Sequence, residues 1–248
     1  MTWDVALILG VDGLANGAIY LLAGLGLVLI FSVTRVIFVP FGDIAAFAAL
    51  SLAAFETGKV PPTIGLVVFL AAFALLVEVC SLARKGEARR IPKAVLTWGV
   101  LPLIPCALAW ATVSMQAPTF VQIIASVLLV VPIAPLVARV CFQPIADASA
   151  LVLLIVSLAL HFLLSGLGLL FFGPEGSRTS ALVDGSVKIT ENFSVNAQVI
   201  LMVGAALVLS AMFFLVFERT VTGKALRAKA VNRVWAHGGT VFARNARP

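Results

Sequence analysis

Four ionisable side chains stand inside or at the ends of long apolar runs of this chain: Asp43, Glu56, Glu78 and His161. A charge is costly to hold in apolar surroundings, and residues that carry one there often mark the path of an ion or a substrate. Asp43 and His161 are therefore predicted as possible polar residues of a pathway. Asp43 and Glu56 are thirteen residues apart, on nearly opposite faces of a helix, so they are not a catalytic carboxylate pair.

His161 stands in the middle of the apolar run Ala150–Phe172, with Ser157 four residues before it and Ser165 four residues after it. In a helix this spacing puts the three side chains on one face. A neutral histidine hydrogen-bonded across helices is one interpretation, and a proton relay is another. A relay needs a second titratable group, and none lies on the same helix.

The other two acidic residues are predicted to lie near the ends of their helices. Glu56 follows an apolar stretch and precedes Gly58-Lys59, which indicates an interfacial position. Glu78 lies close to the basic residues that begin at Arg84, and we expect it to reach water there or to pair with Arg84.

The motifs of enzymes are missing from the chain. The nearest approach to a phosphate-binding GxxxxGK[ST] loop is Gly223-Lys224, but Glu218 stands where the first glycine is needed and Ala225 where the hydroxyl is needed. HExxH and GxSxG do not occur, and the isolated cysteines Cys80, Cys106 and Cys141 form no CxxC pair, which argues against a metal or redox site. These absences favour transport over catalysis and predict no cofactor or metal of the chain's own.

Composition decides which elements position these side chains. With 62% hydrophobic and 11% charged residues and a mean hydropathy of +1.14, the chain has more apolar surface than a soluble core could hide. A spanning helix needs about 20 apolar residues, and the runs here are longer and more uniformly apolar than the strands of a membrane barrel. The prediction is an all-α, polytopic helical membrane protein.

The chain reads as seven transmembrane spans. Their predicted bounds are Val5–Val33, Ile44–Phe55, Thr63–Ala83, Ala94–Val113, Thr119–Ala138, Ala150–Phe172 and Ala197–Phe217. The second is short and follows Pro40, so it either extends back to Val36 or is a broken helix.

Basic residues predict how the chain is oriented. Five lie in the loop 84–93 and seven in the C-terminal segment from Arg219, and Arg35 and Arg139 fall on the same side. Only Lys59, Arg178 and Lys188 are left for the other side. Because cytoplasmic loops are enriched in Lys and Arg, the N-terminus is predicted outside and the C-terminus in the cytoplasm. The net charge of +6 therefore indicates orientation and not nucleic-acid binding.

The first span carries small residues along one face. Gly10, Gly13, Gly17 and Gly24 fall within a narrow arc, and Tyr20, the single tyrosine, lies at its edge. Small residues let membrane helices approach closely, so the stripe is predicted to pack against protein or to line a pathway, with this helix buried in protein and not in lipid. Farther along, Asp184-Gly185 predicts the turn of a short hairpin within 173–196.

Two stretches resemble the integral-membrane permease subunits of ABC importers for branched-chain amino acids (the LivH-type family). The first is DGLANGAIYLLAGLGLVLIF at 12–31; after it the family shows Asn-Phe-Ala-His-Gly where this chain has VPFGD at 39–43. The second comprises FQP at 142–144 through FFGPEG at 171–176, then FERT at 217–220 and GKALRA at 223–228. The pair of spans between 94 and 138 is an addition to the family pattern.

The resemblance implies a function and its partners. Residues 1–217 form the transmembrane permease domain, and 218–233 form a cytoplasmic loop that docks on an ATPase. The residues of this coupling loop are Glu218, Arg219, Gly223, Ala225, Leu226, Arg227 and Ala228. The implied partners are a second permease subunit, two ATPase subunits that bind the ATP, and an extracytoplasmic substrate-binding protein, all at the plasma (inner) membrane. Branched-chain amino acids or related small amides are the implied substrates.

The tail 234–248 does not match the family, in which further spans follow the coupling loop, so we expect a truncated or frame-shifted permease that inserts but does not transport. Two other functions stay open from the residues alone. One is a secondary transporter that couples ions through Asp43 or His161. The other is a membrane scaffold that transports nothing.

Overall fold

The computed structural model describes residues 3–34, 36–84, 86, 88–146, 148–183, 185–190 and 193–219. Nearly all of them are helical, with one small sheet. The α-helices are α1 Trp3–Thr34, α2 Phe41–Glu56, α3 Thr63–Arg84, α4 Ile91–Ala94, α5 Leu101–Ser114, α6 Thr119–Val130, α7 Ile133–Val137, α8 Ala150–Phe172 and α9 Ala197–Arg219.

Shorter helical turns join several of these helices end to end. The turns Val95–Val100 and Ala138–Phe142 are π-helical, and Ala88–Arg90 and Gln143–Ile145 are 3₁₀-helical. As a result, α4 and α5 belong to one span and α6 and α7 to another. The second of these is interrupted between α6 and α7 at Pro132, whose nitrogen cannot donate a helical hydrogen bond.

Six helical segments among the described residues are long and apolar enough to cross a membrane. They are Val5–Ser32, Thr63–Arg84, Ile91–Ser114, Thr119–Ile145, Ala150–Phe172 and Ala197–Val216. They match six of the seven predicted spans and confirm the predicted class, a helical polytopic membrane protein. The second predicted span, at α2, is the exception, so the count of seven and the orientation stay predictions.

The chain divides into two compact units. The first holds α1, α9 and a hairpin of antiparallel strands, β1 Ser186–Thr190 and β2 Phe193–Asn196. Here α1 packs along α9. The predicted hairpin is confirmed, but the predicted turn at Asp184-Gly185 is wrong. Gly185 precedes β1, and its carbonyl accepts from the N–H of Ala197 at the open end of the hairpin.

The second unit holds the helices from α2 to α8. In it α2 packs against α6 and α8, and α3 packs against α5, α6 and α7. Its core is aliphatic, and the largest side chains with almost no exposed surface are Leu66, Leu129, Ile133, Leu136 and Leu164. Two buried hydroxyls cross-link α2 to α3, since Ser51 Oγ lies 2.7 Å from Thr63 Oγ1. This unit contains the polar side chains that the sequence singled out.

Candidate functional site

Asp43 of α2 and His161 of α8 form a pair inside the second unit. Nδ1 of His161 lies 2.7 Å from Oδ2 of Asp43, and Ser165 Oγ donates to the other carboxylate oxygen at 2.9 Å. Because a carboxylate accepts, Nδ1 of the imidazole carries the proton in this pair. The side chain of Asp43 is 10% exposed and that of His161 is 35% exposed. We call Asp43, His161 and Ser165 the polar cluster.

The polar cluster joins residues that lie far apart in the sequence. Asp43 and His161 are 118 positions apart. The sequence predicted both as pathway residues and put Ser165 on the histidine's face, but found no second titratable group on that helix. The group is on α2 instead. A single sequence does not indicate that these two helices are neighbours. An acid and a histidine in separate apolar runs are, however, residue types that commonly pair with one another in a membrane.

Ser157, the third of the polar residues on this face of α8, hydrogen-bonds to the backbone just before α2. Ser157 is fully buried, and its Oγ accepts a hydrogen bond of 2.9 Å from the backbone N–H of Val39. Val36–Phe38 are non-helical and Val39 and Pro40 form a turn, so the N–H of Val39 has no helical partner. Such backbone is tolerated at membrane depth only where protein or a cavity supplies partners. Ser157 supplies one here.

These contacts fix where α2 begins relative to α8. His161 is the twelfth of the 23 residues of α8, and Asp43 lies in the first turn of α2. The first turn of α2 therefore lies at the middle of a helix long enough to span. From Asp43 to Glu56 the helix rises about 20 Å, enough to cover the roughly 15 Å from the bilayer centre to one face.

The helix at the second predicted span begins later than a continuous span would require. The helix has 16 residues, about 24 Å, and begins at Phe41 without extending back to Val36. If the chain crosses here, the residues before Phe41 must cover the other half of the bilayer, roughly 15 Å. An extended residue covers up to about 3.3 Å, so about five residues are enough. Of the two forms offered for this span, the broken helix agrees with the structure and the continuous one is wrong.

The N-terminus of α2 brings its positive end to the polar cluster. The first N–H groups of a helix carry a partial positive charge, which stabilises a carboxylate in the first turn. Asp43 is in that turn, and no side chain caps the helix at Pro40. The carboxylate therefore has three favourable neighbours: the helix end, an imidazole N–H and a hydroxyl. Such an arrangement can hold a negative charge in apolar surroundings.

The other side of this helix contact is apolar. The rings of Phe47 and Phe172 lie 6.2 Å apart and tilted, and a methyl group placed on Gly168 would contact the ring of Phe47 at 3.7 Å. The ring of Phe47 therefore lies in ordinary van der Waals range of α8 at Gly168. The polar cluster is therefore bounded by aromatic packing toward the end of α8.

Glu78 pairs with a residue that the sequence did not indicate. Its carboxylate accepts from Nε of Arg139 at 2.6 Å and from Nη2 of the same residue, while Nη1 of Arg139 donates to Gln143. The pair is mostly buried, at 17% and 18% exposed. The predicted pairing with Arg84 is wrong, because Arg139 projects from a neighbouring span. Glu56 ends α2, at the opposite end from Asp43, so the two acids form no pair.

The glycine stripe of α1 is open in the described part of the chain. A Cβ added at Gly10, Gly13, Gly17 or Gly24 would have nothing within 4 Å, and Tyr20 is 77% exposed. The expectation that this helix is buried in protein is therefore not met by the packing of α9 on α1. Close packing against another subunit stays a prediction.

Most of the predicted coupling loop lies outside the described residues. Glu218 and Arg219 are the last two residues of α9. Gly223, Ala225, Leu226, Arg227 and Ala228 lie beyond it, as does the tail 234–248. Among the described residues no three His, Cys, Asp or Glu side chains cluster as metal ligands.

Comparison with known proteins gives no relative. No family model matches the chain, and no curated protein or solved structure is significantly similar to it.

Proposed function

We propose that this chain is the permease subunit of an ABC importer that takes up branched-chain or other hydrophobic amino acids or related small amides. The observation that carries a transport role is the start of α2, beside the polar cluster, next to the middle of α8, a helix long enough to span. Broken helices whose ends meet polar groups near the bilayer midplane are a recurrent way to build a transport pathway. The resemblance of 12–31 and 217–228 to branched-chain amino acid permeases supports the importer class.

In this proposal the chain's own residues do three things. The polar cluster keeps a hydrophilic contact between α2 and α8 beside the proposed pathway. The coupling loop 218–233 takes up the movement of the ATPase subunits. The glycine stripe of α1 packs against the second permease subunit, which lets two backbones approach closely.

ATP supplies the energy, and it is bound by the partner subunits. Their closure pushes the coupling loop and reopens the pathway as a rigid-body alternation of access. The extracytoplasmic binding protein delivers the substrate. The proposal places the chain in the plasma (inner) membrane.

The genomic neighbourhood and the purified complex test the importer class together. We expect genes for an ATPase with a GxxxxGK[ST] loop and for a binding protein next to the gene of this chain. The tagged chain, extracted in mild detergent, should carry that ATPase with it. The proposal would be contradicted if the membranes contain the neighbouring gene products and the chain nevertheless purifies without an ATPase.

The Asp43–His161 pair favours one alternative, a secondary transporter that couples substrate to protons. In that case a pH gradient across proteoliposomes of the purified chain drives uptake of leucine without ATP, and Asp43→Asn abolishes it. Uptake of this kind would replace the ABC proposal. A chain that shows neither ATPase association nor gradient-driven uptake would be the non-transporting scaffold.

A further inference from the structure

A cavity of about 220 Å³ lies within the second unit, where α2 and α5 end. A carboxyl group, two amides and a hydroxyl line it together with apolar side chains. The lining includes Phe55, Glu56, Thr112, Val113, Gln116 and Gln122. We propose that this cavity binds a small organic molecule through its primary ammonium group.

The side-chain oxygen of Gln122 needs a hydrogen-bond donor. This oxygen is buried, and it has no hydrogen-bond partner among the described residues. The orientation of the amide is fixed, because Nε2 of Gln122 donates to the carbonyl of Ala117 at 2.9 Å. Exchanging the two amide atoms would bring two acceptor oxygens together there. A buried acceptor without a donor costs free energy, so a ligand that donates an N–H to it would be stabilised.

The end of α2 at the cavity is closed by a Schellman motif. The N–H of Gly58 donates to the carbonyl of Phe55, and the N–H of Lys59 donates to the carbonyl of Ala54, both at 2.9 Å. Gly58 has a φ of +69°, as this position of the motif requires. Glycine is the usual residue there, because it has no side chain to oppose that conformation.

The end of α5 has the same motif with a glutamine in place of the glycine. The N–H of Gln116 donates to the carbonyl of Val113 at 3.3 Å, and the N–H of Ala117 donates to the carbonyl of Thr112 at 3.2 Å. Gln116 has a φ of +47° and is the one non-glycine residue with a positive φ in the described part of the chain. Strained residues of this kind are frequent at sites that hold a ligand, and the side chain of Gln116 lines the cavity.

The two helix ends make the cavity suitable for a cation. The C-terminal end of a helix carries a partial negative charge, and α2 and α5 end here, at Glu56 and Ser114. No basic side chain is among the described lining residues. The carboxylate of Glu56 already has an interaction partner, so the negative potential is attributed to the helix ends alone.

The size and the lining of the cavity favour an organic ammonium over a metal ion. A water molecule occupies roughly 30 Å³ in the liquid, so the cavity has room for several groups of that size. A primary ammonium has three N–H donors for oxygen acceptors such as that of Gln122. A short alkyl chain attached to it can contact Phe55 and Val113, which an alkali ion would not use.

The cavity can be reached from water. The turn at 115–118 joins the candidate spans Ile91–Ser114 and Thr119–Ile145, so the cavity lies at the membrane boundary of both. Gly58 and Gln116 of its lining are exposed. The site is separate from the polar cluster, which lies at the opposite end of α2, and it stands whether or not the chain is an importer.

Binding of n-propylammonium to the full chain tests the assignment. The protein is reconstituted in nanodiscs of phosphatidylcholine, a lipid without net charge, and binding is followed by saturation-transfer difference NMR. We expect n-propylammonium to give a saturable signal. n-Propanol has the same carbon chain without the charge and should bind at least about tenfold more weakly.

Three variants locate the binding. Gln122→Met removes the unpartnered oxygen and should lower the affinity on the order of tenfold. Gln116→Gly should raise the melting temperature of the protein, because glycine relieves the strain, and should lower the affinity about fivefold. The matched control Gln143→Met makes the same change at the other end of the span Thr119–Ile145 and should leave the affinity unchanged.

Four results would overturn the assignment. The first is the absence of a saturable signal with n-propylammonium. Equal binding of n-propanol would show that the charge is not recognised. An unchanged affinity in Gln116→Gly, or in a folded Gln122→Met protein, would place the ligand elsewhere. Displacement of n-propylammonium by an equal concentration of sodium or potassium chloride would assign the cavity to an inorganic cation.

Discussion

At the scale of residues, hydrogen bonds in apolar surroundings hold the polar cluster together. Asp43 is 10% exposed, with an imidazole N–H and a hydroxyl on its two oxygens. Hydrogen bonds between membrane helices contribute about 0.6 kcal/mol on average and up to about 1.7 kcal/mol. The cluster therefore joins α2 to α8 by a modest but directional interaction.

A double-mutant cycle measures this interaction. Asp43→Ala and His161→Ala should each lower the free energy of unfolding in mixed micelles by about 1–2 kcal/mol, and the pair should show a coupling energy of about 1 kcal/mol. As a control, Glu175 lies exposed in the loop after α8, and Glu175→Ala should be additive with His161→Ala. Additivity of Asp43→Ala and His161→Ala would show that the two side chains do not interact.

The second polar contact, between Glu78 and Arg139, predicts a stronger effect. Arg139→Gln leaves a mostly buried carboxylate without its strongest donor and should cost about 1–3 kcal/mol of unfolding free energy. The exchanged pair Glu78→Arg with Arg139→Glu should recover at least half of that loss. Arg84→Gln, at the partner that the sequence suggested, should change stability by less than about 0.5 kcal/mol. A larger loss for Arg84→Gln than for Arg139→Gln would restore the sequence-based pairing.

The sequence found the side chains of the candidate site but not their contacts. Helical periodicity put Ser157, His161 and Ser165 on one face of α8, and all three use that face in the structure. The contact with Asp43 depends on which helices are neighbours, and an apolar run does not encode that. The error at Glu78 has the same origin, since Arg84 is near in sequence and Arg139 only in space.

At the scale of elements, α2 is the unusual helix, because it begins where α8 is half-way through its length. Seven crossings require the chain to reach the cytoplasmic face before Val36. The test uses single cysteines in a chain whose native cysteines are replaced, with a membrane-impermeant maleimide added outside. We expect Lys59→Cys to react. Thr34→Cys should not react, and neither should Arg89→Cys. Reaction of Thr34→Cys from outside would make α2 a re-entrant helix and reduce the count to six.

The bounds of the long helices could be predicted from hydropathy alone. α8 begins and ends at the predicted residues, and α3 ends one residue later than predicted. The local departures have local causes: Pro132 interrupts one span, and the buried turn before α2 needs Ser157 as a partner. Hydropathy averages over such details and does not report them.

At the scale of the whole molecule, the orientation rests on the basic residues. The loop at Arg89 and the hairpin at Ser186 are separated by three spans whether or not α2 crosses. In intact cells, Ser186→Cys should therefore react with the impermeant maleimide while Arg89→Cys reacts only after the membrane is opened. Gly86 of the same loop is unsuitable for a cysteine, because its φ of +70° makes any substitution there strained. The opposite labelling pattern would reverse the orientation.

The central claim is that the chain is a permease subunit of an ABC importer, and its association with an ATPase tests that claim most directly. The measurement is the amount of ATPase that purifies with the tagged full chain, compared with two double variants. Leu226→Asp with Ala228→Asp puts charges at the predicted docking contact, at a cost on the order of 2 kcal/mol or more. Val241→Asp with Ala243→Asp makes the same kind of change in the tail. The account predicts that the first double variant loses the ATPase at least tenfold while the chain stays in the membrane, and that the second retains it. Equal ATPase recovery with both variants, or none with the parent chain, would contradict it.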